Sequence, residues 1–388
     1  MAGDRLDIVL LGATGFTGEL TAEYLAEHAG AGTRWGLAGR SLDRLEALRE
    51  RLARRWPAAA SLPLLACDVT DPTSVRNVAE AARVMITTVG PYLEHGEPVV
   101  AACAATGCDY VDLTGEPEFV DRMWLAHHEE AELTGARIVH SCGFDSIPYD
   151  LGTLFTVNQL PENSPLNVTC FVRAGGTFSG GTYHSAIEIM GRLRQGAKVA
   201  RERRQKEPRP TDRKVRGVAG RPHLNPEEGW VVPFPTIDPQ TVLRSATALE
   251  RYGPEFTYSH YLVLKRLPLV IGGALGAGTA IGLAQIPPAR KLMLKLKDPG
   301  EGPTQEQRAK AWFSVKLVGE GGGQRVQTVV SGGDPGYGET SKMLAESALC
   351  LAHDPLPQRS GQLTPAVAMG QHLIDRLTGA GIKFEVTG

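Results

Sequence analysis

The sequence predicts an α/β protein, a Rossmann-type doubly wound parallel sheet followed by a second α+β substrate domain. Three observations carry this reading. Through the first 140 residues short apolar runs alternate with helix-length stretches, the rhythm of repeated βα units with both sheet faces covered. The glycine motif Gly12-Ala13-Thr14-Gly15-Phe16-Thr17-Gly18 falls directly between the first run and the first helical stretch. After Asp150 the alternation stops, and longer strands and helices take over.

In order, the strand-like runs are 7–11, 35–38, 62–66, 84–89, 110–113 and 137–140, with helical stretches at 19–28, 43–56, 73–82, 98–106 and 118–133. Ser41 precedes the second helix and Asp71-Pro72 the third, both ordinary start signals. Further on, 166–174 reads as a strand and 185–204 as a helix. Two alternating runs around Gly319–Gly323 read as a hairpin, and 340–353 and 365–378 as helices. With 388 residues, two domains are expected: 1–145 for the dinucleotide and 146–340 for the substrate. The helices of 341–388 are left either to stand apart or to return to the first domain.

Composition narrows the function. Net charge is −2, from 41 basic and 43 acidic residues, so the chain as a whole is no polyanion binder, and no nucleic-acid partner is expected. Six cysteines without a CxxC pair read as free thiols in a reducing compartment. The first apolar run meets the glycine motif too early for a signal peptide, so a cytoplasmic location is expected. His127-His128-Glu129-Glu130 has a metal-like look, but adjacent helical positions do not share a face, and no metal site is expected.

The glycine motif carries the first chemistry. Gly12 permits the tight turn, Gly15 lets a pyrophosphate approach the backbone, and Gly18 lets helix and strand pack closely. Ala13, Thr14, Phe16 and Thr17 supply the amides that would face the phosphates. An NAD site usually places an acid at the end of the second strand. Here that strand ends Ala38-Gly39-Arg40-Ser41, a cation and a hydroxyl suited to a 2′-phosphate, and NADP(H) is the expected cofactor. Asp68, after the third strand, reads either as a contact to the adenine amine or as a loop cap. A Tyr-x-x-x-Lys pair of the short-chain reductase type is missing from this half, because the first lysine is Lys198. The one literal match, Tyr261 to Lys265, lies at the edge of an apolar run and reads as coincidence.

Several further motifs recur together: Val89-Gly90-Pro91-Tyr92, Tyr110-Val111-Asp112-Leu113-Thr114-Gly115-Glu116, Gly143-Phe144-Asp145-Ser146-Ile147-Pro148, Ser179-Gly180-Gly181-Thr182 and Leu363-Thr364-Pro365-Ala366. With the glycine motif and Ala38–Ser41 they make the chain resemble the saccharopine dehydrogenase-like oxidoreductases, closest to their actinobacterial trans-acting enoyl reductase branch. The resemblance implies an NADPH-dependent reductase of a thioester-linked polyketide or lipid precursor. It also implies a hydrophobic acyl substrate, presented by an acyl carrier protein, a polyketide synthase or a membrane surface. The basic side chains with which true saccharopine reductases hold a diacid cannot be mapped here. Reduction of an imine or amino-acid-like substrate stays as the alternative, as does a nucleotide-sensing, membrane-associated protein without turnover.

Loops at strand C-termini flank the ligand crevice of such a sheet. Gly90 and Pro91 are expected to shape the wall beside the nicotinamide, with Tyr92 or His95 as proton donor. After the sixth strand, Asp145 and Ser146 stand where they would meet substrate or nicotinamide, and Ser146 equally reads as a helix cap.

Two surfaces are unusual. Residues 192–216 hold eleven Lys/Arg against three acids, either a solvated face or a dock for anionic lipid or an acidic carrier protein. Residues 267–289 carry no charge over twenty-three positions, and read as a buried or acyl-pocket-lining segment or as one that inserts at a membrane surface.

Overall fold

A computed structural model describes residues 5–175, 180–264, 276, 279–295 and 304–388, with the main chain alone at 180–185. The chain divides into two compact units, Met1–Phe144 with Tyr337–Arg376, and Asp145–Gly336 with Leu377–Gly388.

The first unit is built on β1 (Leu6–Leu11), β2 (Trp35–Gly39), β3 (Leu64–Ala66), β4 (Ala82–Thr87), β5 (Asp109–Val111) and β6 (Arg137–Val139). A seventh strand, Gly361–Leu363, adds beside β6. The order across the sheet is Gly361–Leu363, β6, β5, β4, β1, β2, β3, and every pairing is parallel. Ile8, Val9 and Leu10 are all fully buried, because a strand with helices on both faces has no wet side. On one face lie α1 (Phe16–His28), α2 (Leu42–Ala53) and the returning helix Gly338–His353, which packs on α1, β1, β4 and β5. On the other lie α3 (Pro72–Ala81), α5 (Glu97–Thr106) and α6 (Pro117–Thr134), while the short α4 (Tyr92–His95) sits in the loop after β4.

The second unit is a mixed sheet. Its strands are β7 (Leu166–Gly175), β8 (Lys214–Gly217), β9 (His223–Asn225), β10 (Gly229–Pro233), β11 (Glu255–Leu264), β12 (Trp312–Gly321) and β13 (Gln324–Gly332). The order runs Lys383–Val386, β13, β12, β7, β11, β10, β9, with β8 also on β11. The long β7 is central, antiparallel to β12 and parallel to β11. Helices α7 (Ile147–Val157) and α10 (Asp238–Ala248) cover one face, where Val168, Cys170, Phe256, Val315 and Leu317 are buried. Gly152 of α7 lies so close to the sheet that a Cβ would stand 2.9 Å from Val330 Cγ2.

The structure corrects several expectations. Residues 341–388 do not move as one block, because the final strand Lys383–Val386 pairs antiparallel with β13 of the second unit. The helix expected over 185–204 is two, α8 (Gly180–Gly191) and α9 (Leu193–Lys206). They part where Gly191 lets Arg290 cross, a Cβ there falling 2.3 Å from its guanidinium. The helix expected over 365–378 is likewise interrupted, at Gly370 with its positive φ of 49°. Among the cations of 192–216, two are structural. Arg203 is buried against Glu207, and Arg213 donates to the Ala246 and Thr247 carbonyls at the end of α10. Much of 267–289, the Ser179 end of its motif, and Lys265 lie outside the described residues.

Candidate functional site

The glycine turn is held from both sides. Gly12 has φ +82°, which favours glycine, and a Cβ there would also stand 2.7 Å from Thr88 Oγ1. The Thr88 hydroxyl donates to the Gly12 carbonyl (3.1 Å), pinning the end of β4 to the turn. A Cβ on Gly18 would lie 2.2 Å from the Gly12 oxygen, so the first turn of α1 packs directly on the loop. Ala13 is fully buried, and Phe16 packs edge-on against Tyr337 with ring centroids 4.6 Å apart. Gly15 is the N-cap of α1 and offers no side-chain acceptor to the first amides. A helix N-terminus of this kind, with no side chain over it, suits an anion.

At the end of β2, Arg40 is exposed and Ser41 accepts from the Arg44 amide as the cap of α2. Arg44, which the sequence reading passed over, reaches back to the Thr14 carbonyl (3.2 Å) and ties α2 to the glycine turn. The signal for it was its helical position three residues after a cap. Asp68 closes a small loop of its own, its Oδ1 accepting from the Thr70 amide (3.0 Å) and hydroxyl (2.8 Å). Those two bonds, with a smaller contribution from Arg40, hold its carboxyl below the usual range. An uncapped helix N-terminus, a glycine cradle and a cation at the end of β2 together fit a dinucleotide with a 2′-phosphate.

The loop after β4 contains the cis peptide Gly90–Pro91 and then α4. Tyr92 is buried, and its hydroxyl is committed to the main chain, donating to the Thr87 carbonyl (3.1 Å) and accepting from the Leu113 amide (3.2 Å). Burial pushes that phenol well above its usual range. Tyr92 is thus a brace between the β4 and β5 loops, a departure from the expected proton donor. The buried Glu116 caps α4, accepting from the amides of Tyr92 (3.3 Å) and Leu93 (2.9 Å). His95, at the end of α4, stays partly exposed, 3.9 Å from Glu94.

Behind these loops lies a buried network around Asp112, fully removed from water. Its Oδ1 accepts from the Thr114 (3.0 Å) and Ser141 (2.8 Å) amides. Its Oδ2 accepts from the Tyr110 hydroxyl (2.9 Å) and stands 2.7 Å from His140 Nδ1. Ser141 holds a positive φ of 61° to make its bond. Gly143 follows, with space for no Cβ between Leu113 and Thr340, and the Phe144 amide donates to Thr340 Oγ1 (3.0 Å).

In the second unit, Ser146 is the N-cap of α7 but does not cap it with its side chain. Its hydroxyl is buried and meets Thr241 Oγ1 of α10 at 3.1 Å, and its φ is 89°, strained for a residue with a side chain. Asp145 beside it is half-buried, and Asp238 at the start of α10 is 1% exposed. Among the described residues, no group of His, Cys, Asp and Glu could hold a metal ion.

Residues 8–139 match the family of saccharopine dehydrogenase NADP-binding domains. A putative trans-acting enoyl reductase of Mycobacterium tuberculosis is 38% identical, over 99% of this chain and 98% of the relative. A trans-acting enoyl reductase of Mycobacterium ulcerans is 34% identical with the same coverage. Among solved structures, apo saccharopine dehydrogenase (L-Glu forming) from Saccharomyces cerevisiae is similar in fold, with a TM-score of 0.57 at 12% identity, covering 98% of this chain and 99% of that one.

Proposed function

Because the chain belongs to the trans-acting enoyl reductase family and carries a saccharopine dehydrogenase-type NADP-binding domain, we propose that it reduces the carbon–carbon double bond of a 2-enoyl thioester with NADPH. The observation that carries this is the end-to-end match: the enoyl reductases align over both units and not the cofactor domain alone. When bound, NADPH supplies a hydride for the β-carbon. The chain's own residues do the holding. The first amides of α1 take the pyrophosphate, Gly12 and Gly15 keep Cβ atoms out of its way, and Arg40 faces the 2′-phosphate. Tyr92 and Glu116 fix the loop that carries Gly90, Pro91 and His95. His95, partly exposed, is the group of that loop able to donate to the thioester oxygen as negative charge develops there.

The test is NADPH oxidation by the purified protein with 2-enoyl thioesters of coenzyme A of increasing chain length, with NADH in parallel. Turnover specific to NADPH and rising with chain length is the expected result. NADPH binding without turnover of any of them counts against the reading.

For substrate supply, the finer reading is a lipid-type acyl chain met at a surface. Supporting it, the described part of the charge-free segment and the helix after it leave Ile281, Leu283, Ile286 and Leu292 exposed beside Arg290, Lys291 and Lys295. No described helix is long and apolar enough to cross a membrane. Flotation with vesicles containing anionic lipid, but not with neutral ones, is the expected outcome. The remaining cations of 192–216 suit an acidic acyl carrier protein equally, and competition between such a carrier and vesicles distinguishes the two.

A further inference from the structure

We propose that Arg44 is a second cation for the 2′-phosphate of NADPH, and that Arg40 and Arg44 together set the preference for NADPH over NADH. The inference rests on the NADPH reading of the first unit and adds to it a specificity-determining residue. Every side chain it uses lies in that unit.

Helix α2 starts directly after β2, with Ser41 as its N-cap. The Ser41 hydroxyl oxygen accepts from the Arg44 amide at 3.3 Å, which fixes the Arg44 main chain in the first turn. The Arg44 side chain then runs backwards, and its Nη2 donates to the Thr14 carbonyl at 3.2 Å. Thr14 belongs to the glycine turn. Arg44 therefore spans from the end of β2 to that turn, and in a doubly wound sheet the adenosine ribose of a dinucleotide lies between those two places. Arg40 leaves from the other side of Ser41 and is exposed.

The charges point the same way. Further along α2, Arg49 pairs with Glu46 and Arg51 with Glu19. Arg40 and Arg44 form no ion pair among the described residues. Asp68, the acid nearest in charge to Arg40, is engaged by the Thr70 amide and hydroxyl. Arg44 also stands three residues after a serine cap, where a glutamate or glutamine would complete a capping box. A cation there opposes the helix dipole. Asp43 supplies the acid of that turn, but adjacent helical positions do not share a face.

A guanidinium carries five N–H donors, and the Thr14 carbonyl takes one of those of Arg44. A phosphate accepts two at once from such a fork, in charge-assisted bonds stronger than one bond to a neutral carbonyl. Ser41, whose oxygen accepts in the cap, still has its O–H to donate to the same phosphate. A ribose hydroxyl in place of the phosphate offers the two arginines no charge, so NADH gains nothing from them.

The experiment is a fluorescence titration of NADPH and of NADH into wild type, Arg44→Met, Arg44→Lys, Arg40→Ala and the double variant Arg40→Ala/Arg44→Met. Competition by adenosine 2′,5′-bisphosphate and by adenosine 5′-phosphate, and urea unfolding of the nucleotide-free proteins, run beside it. Arg44→Met should weaken NADPH and the bisphosphate by about 10-fold, while NADH and the monophosphate stay within about 2-fold of wild type. Arg44→Lys keeps the charge without the fork and should fall between. The double variant should bind NADPH no better than NADH. Nucleotide-free stability should match wild type in Arg44→Met, whose stem still covers the helix. Equal losses for NADPH and NADH would make Arg44 a tie for the glycine turn and overturn the proposal, as would unchanged NADPH affinity. A preference that Arg40→Ala abolishes and Arg44→Met leaves whole assigns the phosphate to Arg40 alone. A wild type without preference for NADPH refutes the cofactor reading itself, and no thioester substrate is needed to tell these outcomes apart.

Discussion

Asp112 and Asp238 are both buried carboxyls near the ends of strands or helices, and their surroundings differ completely. Asp112 is met by two amides, a phenol and an imidazole. Asp238 is met by the Thr236 hydroxyl and by Ser146, and burial with the nearby Asp145 charge lifts its carboxyl well above the usual range. Removing a carboxyl with four close partners strands every donor around it. A carboxyl with few partners and no counter-charge is stable only with a proton. The first arrangement is scaffold, fixing the loops after β5 and β6. The second is a carboxyl that burial and the Asp145 charge hold well above the usual range, at a cost in stability when the pH rises.

The sharpest way to break this comparison is to substitute both residues. Asp112→Ala should cost about 3–5 kcal/mol, since Tyr110, His140 and the Thr114 and Ser141 amides lose their acceptor together. Asp238→Asn should cost little near neutral pH, and urea unfolding of the two variants side by side measures the gap. Equal losses would make both networks scaffold. Next in size is Gly18→Ala, which drives a methyl group into the Gly12 carbonyl and should weaken NADPH by about 100-fold, or about 2.7 kcal/mol, in a fluorescence titration. Undisturbed binding would mean that the turn relaxes freely.

The two regions were also unequally legible in the sequence. Parallel strands buried on both faces write themselves as apolar runs, so β1, β2 and β4 lie within a residue or two of where periodicity puts them. The glycine motif and Arg40 could be read because their chemistry depends on local spacing. Arg44 was legible only as a helix residue, because its bond to Thr14 spans thirty positions. Asp238 and His260 gave no signal at all. One opens a helix and the other lies in an apolar strand, and the fold alone brings them together from twenty-two residues apart. Tyr92 misled for the opposite reason. A tyrosine at a crevice loop looks catalytic until its hydroxyl is seen bonded to two backbones.

Smaller effects sharpen the picture within the first unit. Arg40→Ala should weaken NADPH by about 10-fold to 100-fold, the size of one or two charge-assisted hydrogen bonds, and leave NADH nearly unchanged. Equal loss for both nucleotides would remove the 2′-phosphate from Arg40. Tyr92→Phe should lower stability by about 1 kcal/mol while kcat at saturating substrate stays close to wild type. A large fall in kcat without loss of stability would return Tyr92 to the chemistry.

A last effect, visible as a difference between variants, comes from His260 and Asp145 acting against each other on pH-dependent stability. His260 is held neutral down to about 3, whereas in the unfolded chain it takes a proton below its ordinary value of 6.5. It therefore removes stability as the pH falls through that window, at about 1.4 kcal/mol per unit. Asp145, lifted from 3.8 to about 6, binds its proton first in the folded chain, so it adds stability as the pH falls from 6 toward 3.8. Where the windows overlap His260 offsets only one of the two lifted carboxyls, Asp145 and Asp238, and wild type should gain stability as the pH falls from about 6 to about 4. Each substitution exposes the other slope. His260→Gln should steepen that gain, and Asp145→Asn should flatten it, by about 2 kcal/mol in each case. Parallel profiles for the two variants would mean that neither group is perturbed in the folded chain, and the contrast with Asp112 would lose its electrostatic basis.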